Sequence, residues 1–467
     1  MSLFWLLLFC AHLAIASSLV KFEGIVHFAD NDLRNKKQDG MYLDLYHVTK
    51  STSPFTFSDM FKKDEEHVRY LKSRLDNKED VRISGTTSSS DKVRGPKPVS
   101  IPLKSALSLA SGNYYVRIGL GTPAQYFSMI IDTGSSLSWL QCQPCKVYCH
   151  DQVDPLFNSS TSKTYRTFPC SSPQCSSLKG STLNDPGCSS KTGTCVYSAS
   201  YGDSSFSFGY LSQDVLTLTP SETLSSFVYG CGQDNQGLFG KAAGILGLGN
   251  DNLSMLAQLS NKYGNAFSYC LPTSFSASSS KEGFLSIGTS SLTSSSSSSY
   301  KFTSLVKFPN KQSLYFIDLT SITVAGIPIG VAASSYKVPT IIDSGTVITR
   351  LPMPVYTALK EAFVKIISKK FAQLPGVSIL DTCFKGSVKT MSEAVPEVQL
   401  IFQGGADLSL KAHNTLIEIK NGTTCLAFSG SSGFNPIVII GNYQQQTIKV
   451  AYDVANSKIG FAPGGCQ

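Results

Sequence analysis

The chain has 467 residues, a formal net charge of +8, 42% hydrophobic residues and 15% charged residues. This balance is typical of a globular chain rich in β-structure and excludes a disordered protein or a long coiled coil. Its Lys and Arg residues are dispersed, so the modest positive charge does not indicate a nucleic-acid-binding stripe.

The N-terminus predicts a secretory signal peptide. An apolar run starts at Phe4 and ends at Ala14-Ile15-Ala16, a small-x-small cleavage pattern. The alternative is a membrane anchor, which needs about 20 apolar residues, more than this run supplies. We expect residues 1–16 to be removed and the protein to be secreted, with a vacuole also compatible. No later run is long enough to predict a transmembrane span.

Residues 17–104 contain no Cys and many charged side chains. Apolar residues recur at helical spacing between Ser58 and Asn77, which predicts an amphipathic helix, and Gly85 to Val99 has the composition of a linker; the apolar positions are Phe61, Val68, Leu71 and Leu75. One interpretation is a solvated N-terminal extension. The other is a pro-segment whose helix and basic side chains cover an active-site cleft.

From Tyr114 onward, short alternating apolar runs are separated by Gly, Asn, Asp and Ser, a pattern that predicts β-strands. The clearest runs are Tyr114–Leu120, Phe127–Ile131, Val215–Leu218 and Phe316–Leu319. One helix is predicted from Val355 to Phe371, after Pro354. The Ser-rich tract from Ser291 to Ser299 is interpreted as a surface loop.

Cysteine usage agrees with secretion. Cys10 lies in the predicted signal, and the other twelve cysteines all lie beyond residue 140. An even number in a secreted chain indicates disulfides. The alternative is a zinc site, because Cys142-Gln143-Pro144-Cys145 has a metal-like spacing with Cys149-His150 nearby. We favour disulfides and predict no metal or cofactor.

An internal repeat carries the functional interpretation. Phe127 to Ser138 resembles Val338 to Thr349, and each copy is followed about a hundred residues later by an apolar pair and Gly, at Ile245-Leu246-Gly247 and Ile439-Ile440-Gly441. Two copies of one unit predict two similar lobes. Asp132 and Asp343 would then occupy equivalent, facing positions.

Each copy of the repeat delivers an Asp at the end of a buried strand. A tight Gly turn follows, and a hydroxyl residue three positions on can hydrogen-bond the carboxylate. Two facing carboxylates cannot both ionise, so the pair holds one proton and activates a water as acid and base together. The alternatives are an Asx-capped turn for a single copy and an inactive descendant of the fold for both.

These motifs resemble the pepsin-like aspartic proteases, specifically their plant nepenthesin-like branch. The resemblance covers residues 110 to 467 and implies a mostly β, bilobal acid-protease fold with the active-site cleft between its lobes. It implies catalytic roles for Asp132 and Asp343, and support of the dyad by Thr133, Gly134, Ser135, Ser344, Gly345 and Thr346. It also implies that Tyr201 and Gly202 belong to a flap over the substrate and that Trp139 hydrogen-bonds the flap tyrosine.

The resemblance further implies six disulfides: Cys142–Cys145, Cys149–Cys231, Cys170–Cys195, Cys175–Cys188, Cys270–Cys466 and Cys383–Cys425. We expect an N-terminal lobe over residues 105–295 and a C-terminal lobe over 296–467. The sequons at Asn158, Asn252 and Asn421 are candidate N-glycosylation sites. A protein or peptide is the expected substrate, the pro-segment the expected intramolecular inhibitor and the monomer the expected state.

Two rival functions are compatible with the same fold. Plant inhibitors of cell-wall xylanases resemble this family but lack an intact dyad, whereas both signatures are whole here. The branch also includes a chloroplast nucleoid protease described as binding DNA, but the dispersed basic residues make nucleic acid an unexpected partner. A plastid location would require an Arg- and Ser-rich transit peptide, which residues 1 to 20 do not resemble.

Overall fold

The computed structural model describes residues 56–75, 98–201, 205–237, 239–273, 283–292, 300–308, 313–420, 422–431, 436–464 and 466. The predicted signal peptide, Gly202, Asn421 and most of the Ser-rich tract lie outside these ranges, as does much of the segment from 17 to 104. Within the described residues, no helix combines the length and the apolar character that crossing a bilayer requires.

The described helices are short apart from the first and fourth. They are α1 (Phe57–Ser73), α2 (Pro173–Thr182), α3 (Met255–Tyr263), α4 (Met353–Ile367), α5 (Val388–Met391), α6 (Ala412–Thr415) and α7 (Asn442–Gln445).

Strands dominate the described chain, as expected from the alternating pattern. Those of the first half are β1 (Val99–Ser105), β2 (Tyr114–Leu120), β3 (Gln125–Asp132), β4 (Trp139–Gln143), β5 (Tyr148–Cys149), β6 (Phe157–Asn158), β7 (Arg166–Thr167), β8 (Gly187–Cys188), β9 (Cys195–Ser200), β10 (Phe206–Thr219), β11 (Glu222–Gln236), β12 (Gly244–Gly247), β13 (Ala266–Cys270) and β14 (Gly283–Ile287). Those of the second half are β15 (Lys301–Ser304), β16 (Phe316–Ile317), β17 (Leu319–Val324), β18 (Ile327–Pro328), β19 (Thr340–Ile342), β20 (Thr349–Pro352), β21 (Gln373–Leu374), β22 (Cys383–Lys385), β23 (Val398–Phe402), β24 (Asp407–Leu410), β25 (Leu416–Lys420), β26 (Thr423–Leu426), β27 (Phe428–Ser431), β28 (Val438–Ile440), β29 (Lys449–Asp453) and β30 (Lys458–Ala462).

One large sheet joins the two halves of the chain. It contains β1 to β15 together with β29 and β30, while the other strands of the second half form three smaller sheets. β29 pairs with β13 and β30 pairs with β15, so the last strands of the chain are built into the sheet of the first lobe. The lobes are thereby held at a common base, which fixes the two Asp loops relative to each other.

The internal repeat corresponds to a repeated strand arrangement. β3, which ends in Asp132, runs parallel to β12, and β19, which precedes Asp343, runs parallel to β28. In each lobe the strand after the Asp loop, β4 or β20, returns along the other edge of that partner strand. The apolar pairs before Gly247 and Gly441 therefore lie in β12 and β28, each between the strand that enters an Asp loop and the strand that leaves it.

The predicted helices form with slightly different bounds. α1 starts at an N-cap, Thr56, whose side chain accepts a hydrogen bond from the Asp59 N–H, and it ends at Ser73, before Leu75. α4 begins two residues before the predicted start at Val355. The predicted strand Phe316–Leu319 is divided at Asp318 into β16 and β17, which belong to different sheets.

β1 lies in the central sheet between β2 and β14. Residues 99–104 of this strand fall in the range that the sequence assigns to the pro-segment. Val99, Ile101 and Leu103 are buried in the core, so these residues pack as part of the first lobe.

All twelve cysteines of the described chain form disulfides, but four predicted pairings were wrong: Cys142–Cys145, Cys149–Cys231, Cys170–Cys195 and Cys175–Cys188. The structure has Cys142–Cys231, Cys145–Cys149, Cys170–Cys188 and Cys175–Cys195, and it retains Cys270–Cys466 and Cys383–Cys425 as predicted.

Strand register explains the exchanged partners. β4 lies beside β11, which brings the Cα atoms of Cys142 and Cys231 to 5.5 Å, within disulfide reach. Cys188 and Cys195 are directly opposite each other in the β8–β9 hairpin. The buried face of α2 presents Cys175 to Cys195, which leaves Cys188 for Cys170.

Candidate active site

The two Asp loops meet face to face. Asp132 and Asp343 are both fully or almost fully buried. One carboxylate oxygen of each, together with a ring nitrogen of His67, lies within 4.8 Å of the others. The structure therefore brings together the two residues that the sequence predicts to be catalytic.

Glycine permits this close approach. A Cβ on Gly345 would lie 2.3 Å from Asp132 Oδ1, and one on Gly134 would lie 2.9 Å from Asp343 Oδ1. Both contacts are too short for carbon and oxygen. Each loop thus has glycine where the carboxylate of the other loop passes.

Each carboxylate is oriented by donors from its own loop. Asp132 accepts hydrogen bonds from the Gly134 N–H at 2.8 Å and from the Ser135 hydroxyl. Asp343 accepts from the Gly345 N–H at 3.0 Å and from the Thr346 hydroxyl at 2.7 Å. The two loops hold their carboxylates in matching ways, as the repeated motif predicts.

Reciprocal hydrogen bonds tie the loops together. The Thr133 N–H donates to Ser344 Oγ at 3.1 Å, and the Ser344 N–H donates to Thr133 Oγ1 at 2.9 Å. The Ser344 hydroxyl donates in turn to the Ile131 carbonyl at 3.2 Å. Because each hydroxyl bridges to the opposite lobe, the separation of the carboxylates is set by these side chains.

Tyr201, the predicted flap tyrosine, has the contact with Trp139 that the resemblance implies. Trp139 Nε1 donates a hydrogen bond to Tyr201 Oη at 2.7 Å. Phe239 packs edge-on against both rings, with centroid distances of 4.8 and 5.6 Å. Burial raises the pKa of Tyr201 well above its ordinary value, so its hydroxyl is a neutral donor or acceptor. Gly202 lies outside the described residues.

Helix α1 reaches the dyad through a histidine. His67 Nε2 lies 2.9 Å from Asp343 Oδ2, although the sequence predicted only unspecified basic side chains there. Burial alone would lower the pKa of His67, but its hydrogen bond to Asp343 and the charges of Asp343 and Asp132 raise it to about 9. His67 is therefore a cation at neutral and acidic pH.

With α1 docked, the pKa values of the two catalytic carboxyl groups are shifted in opposite directions. Burial and the neighbouring charge of Asp343 raise the pKa of Asp132 to about 6. Burial acts on Asp343 as well, but the hydrogen bond and charge of His67, together with Thr346 and Gly345, hold its pKa at about 2. The helix thus favours an ionised Asp343.

Further contacts hold α1 against both lobes. Tyr70 packs on the Tyr201 ring at a centroid distance of 5.8 Å, and Arg74 Nη1 donates to the Gly134 carbonyl at 2.8 Å. Met60 and Phe61 are buried in one apolar cluster of the second lobe, with partners that include Val347, Ile348 and Tyr443. Val68 and Leu71 are buried in another, with partners that include Leu314, Phe316 and Ile437. Each such burial is worth about 1.5–3 kcal/mol.

Sequence reasoning missed several residues of the site. Asn442 Nδ2 donates to the Ser344 carbonyl at 3.0 Å, and Gln445 Nε2 donates to the Asp343 carbonyl at 3.2 Å. Asn442 directly follows the second apolar pair and Gly of the repeat, and Gln445 lies three residues further on, so the repeat is the signal that points to them. His67 and Arg74 carry no local signal of their role, because only the docking of α1 brings them to the dyad.

His67, Asp132 and Asp343 have side chains of the types that bind divalent metals. The 2.9 Å contact of His67 with Asp343 is the length of a hydrogen bond.

Among the sequon residues, Asn252 is exposed, Asn158 is partly buried with its Oδ1 accepting from Ser160, and Asn421 lies outside the described residues.

Known proteins with similar sequences match most of the length of this chain. An aspartyl protease family protein of Arabidopsis thaliana is 41% identical over 420 residues, which is 90% of this chain and 84% of the relative. Aspartic proteinase nepenthesin-2 of Nepenthes gracilis is 37% identical over 366 residues, 76% of this chain and 78% of that protein. The chain belongs to the aspartyl protease family. The nepenthesin-like resemblance is thereby confirmed.

The family models and the solved structures that match this chain carry other names. Residues 114–289 match the family described as xylanase inhibitor N-terminal, and residues 314–463 match xylanase inhibitor C-terminal. The crystal structure of basic 7S globulin from soybean has a TM-score of 0.62 at 22% identity, covering 79% of this chain and 97% of that chain. The bilobal, mostly β fold is confirmed by this likeness, which at such identity is informative on the fold alone.

Proposed function

We propose that this aspartyl protease family member is a secreted endopeptidase, made as a zymogen, that hydrolyses proteins at acidic pH with a water activated by Asp132 and Asp343. The observation that carries the proposal is the convergence of the two carboxylates within 4.8 Å, both buried and matched in their hydrogen bonds. An inactive descendant of the fold has no need to retain this complete set.

In the proposed mechanism the dyad shares one proton. The ionised carboxylate accepts a proton from the bound water, whose oxygen attacks the scissile carbonyl carbon. The protonated carboxyl group donates a hydrogen bond to the carbonyl oxygen and stabilises the developing tetrahedral diol. A proton then passes to the amide nitrogen, the C–N bond breaks, and the dyad returns to its singly protonated state.

The proposed zymogen state rests on α1. Its His67 pairs with Asp343, and its Tyr70 packs on Tyr201, so that a substrate and the helix require the same space. Cleavage in the stretch before Val99 would release α1 and leave β1 in the central sheet. We further propose a monomeric protein secreted to the apoplast or vacuole, with glycans at the sequons.

The test is digestion of a denatured protein by the acid-treated full chain from about pH 3 to 7, with and without pepstatin. We expect Asp132→Asn and Asp343→Asn each to abolish cleavage, because neither variant retains the two carboxyl groups that share a proton. Asp185→Asn, which removes an exposed surface carboxylate of the first lobe, is the matched control. Cleavage that persists in both dyad variants contradicts the mechanism.

The family models named for xylanase inhibitors favour one second candidate, a non-catalytic binding protein on this fold. A folded, processed protein that cleaves no peptide at any pH would support that candidate. DNA retention that falls steeply with salt would instead support a DNA-associated protease.

A further inference from the structure

A carboxylate-binding pocket lies beside the dyad on the second Asp loop. The Asp64 carboxylate of α1 accepts hydrogen bonds from the main-chain N–H of Val347 and, at 3.0 Å, from that of Ile348. Arg350 Nη2 lies 3.0 Å from Asp64 Oδ2. Both oxygens of one carboxylate are thus held by two amides and a guanidinium, a strong charge-assisted arrangement.

The protease lobe, and not the helix, builds this pocket. Its residues belong to the turn after Asp343 and to β20, which pairs with β27 and β28. Arg350 Nη1 also donates to the Ile348 carbonyl at 2.7 Å, which orients the guanidinium. The pocket is therefore preformed by the sheet and does not need the helix for its shape.

The charge of Arg350 requires a partner. Its side chain is 1% exposed, and its Nε is buried without a hydrogen-bond partner in the described part of the chain. The carboxylates paired with it among the described residues, Asp64 and Glu65, both belong to α1. Release of α1 removes both counter-charges from Arg350 and uncovers the side of the guanidinium that they occupy, so an acidic group of another peptide can take their place.

The pocket is close enough to the dyad to be reached by a bound peptide. Asp64 and His67 are three residues apart on one face of α1, so their side chains start about 5–6 Å apart. An extended peptide advances about 3.4 Å per residue. A side chain within about three residues of the bond being cut therefore reaches the pocket.

We infer that, in the processed protease, the pocket formed by Val347, Ile348 and Arg350 is a specificity subsite that binds an acidic side chain of the substrate. The inference rests on the proposed function, because it requires a peptide held across the dyad. Asp64 occupies in the precursor the place that an Asp or Glu of the substrate takes after processing.

The experiment uses the full chain after acid processing and a set of quenched fluorescent peptides with acetylated and amidated ends. One Asp is moved from three residues before the scissile bond to three residues after it, and each peptide is paired with its Asn counterpart. Because the ends are blocked, a side chain is the only source of carboxylate. At one position we expect the Asp peptide to have a kcat/KM on the order of tenfold higher at pH 5.

Two further arms identify the group responsible. A peptide with cysteic acid at the selected position keeps its charge at pH 3, where Asp becomes protonated, so it should retain the preference that the Asp peptide loses. In Arg350→Leu the ratio of kcat/KM between the Asp and Asn peptides should fall to about one. In Arg350→Lys, which keeps the charge but not the guanidinium, the ratio should fall only in part. Lys385→Leu, which removes an exposed cation of the same lobe, should leave the ratio unchanged.

The outcomes separate the two proposals. Efficient cleavage of the Asn peptides with no position that favours Asp overturns the subsite and leaves the protease function intact. Cleavage of no peptide overturns both. If the Arg350 variants do not fold, the wild-type ratios and the cysteic acid series decide, and a preference lost by both acidic peptides at pH 3 overturns the inference.

Discussion

Replacement of His67 by Gln should release the precursor from latency. Gln keeps a hydrogen-bond donor near Asp343 but removes the positive charge. The pKa of His67 rises from 6.5 to about 9 when α1 is docked, which corresponds to about 3 kcal/mol of stabilisation of the docked helix. The variant should therefore open on the order of a hundredfold more often near pH 6.

The pH dependence of docking follows from the same groups. A raised His67 pKa stabilises docking fully below about pH 6.5 and loses that contribution as the pH rises through about 9. Asp343, with its pKa held at about 2, stabilises docking above its ordinary 3.8 and loses that contribution as the pH falls towards 2. Docking is then tightest between about pH 4 and 6.5, and maturation should accelerate below it. Asp64 and Asp132 oppose this acid effect, because burial raises the pKa of each carboxyl group in the docked state.

The assay is the initial rate of peptide cleavage by freshly purified precursor at pH 6, with gel analysis to show that the chain is still unprocessed. Arg69→Gln is the matched control, because it removes an exposed cation from the same helix. The wild-type precursor should also mature faster at pH 3 than at pH 6. Equal initial rates for His67→Gln and wild type would refute a latency that depends on the His67–Asp343 ion pair.

Two further predictions concern the dyad and the scaffold. Thr346→Ala removes the hydroxyl that donates to Asp343 at 2.7 Å. The acidic limb of the pH–rate profile of the processed enzyme should therefore move to higher pH, and kcat should fall about tenfold. Thr320→Ala is the control, and an unchanged profile in Thr346→Ala would contradict this role. Cys383→Ser with Cys425→Ser opens a disulfide with a sequence separation of 42, which should lower the free energy of unfolding by about 4 kcal/mol in denaturant titration, whereas a loss under about 1 kcal/mol would show that the unfolded chain gains little freedom.

Much of the fold was readable from local pattern. Alternating apolar residues predicted β2 and β3, although β3 is buried on both faces from Phe127 to Asp132, and apolar residues at helical spacing predicted α1. The repeated Asp-Gly motifs identified both catalytic candidates, since a turn with glycine and a nearby hydroxyl is a local requirement. The disulfide pairings came from the resemblance and not from local pattern: Cys270–Cys466 and Cys383–Cys425 were correct, and the four wrong pairings all lie among the cysteines from 142 to 231, where strand register decides which cysteines face each other.

The sequence by itself determined the two carboxylates and the loops that orient them, because those contacts lie within four residues of each Asp. Only the tertiary structure decided what faces them. His67 reaches Asp343 across 276 positions of the chain, and Asp64 reaches Val347 across 283. Contacts at such separations depend on how whole elements pack, and no spacing rule within one segment encodes them.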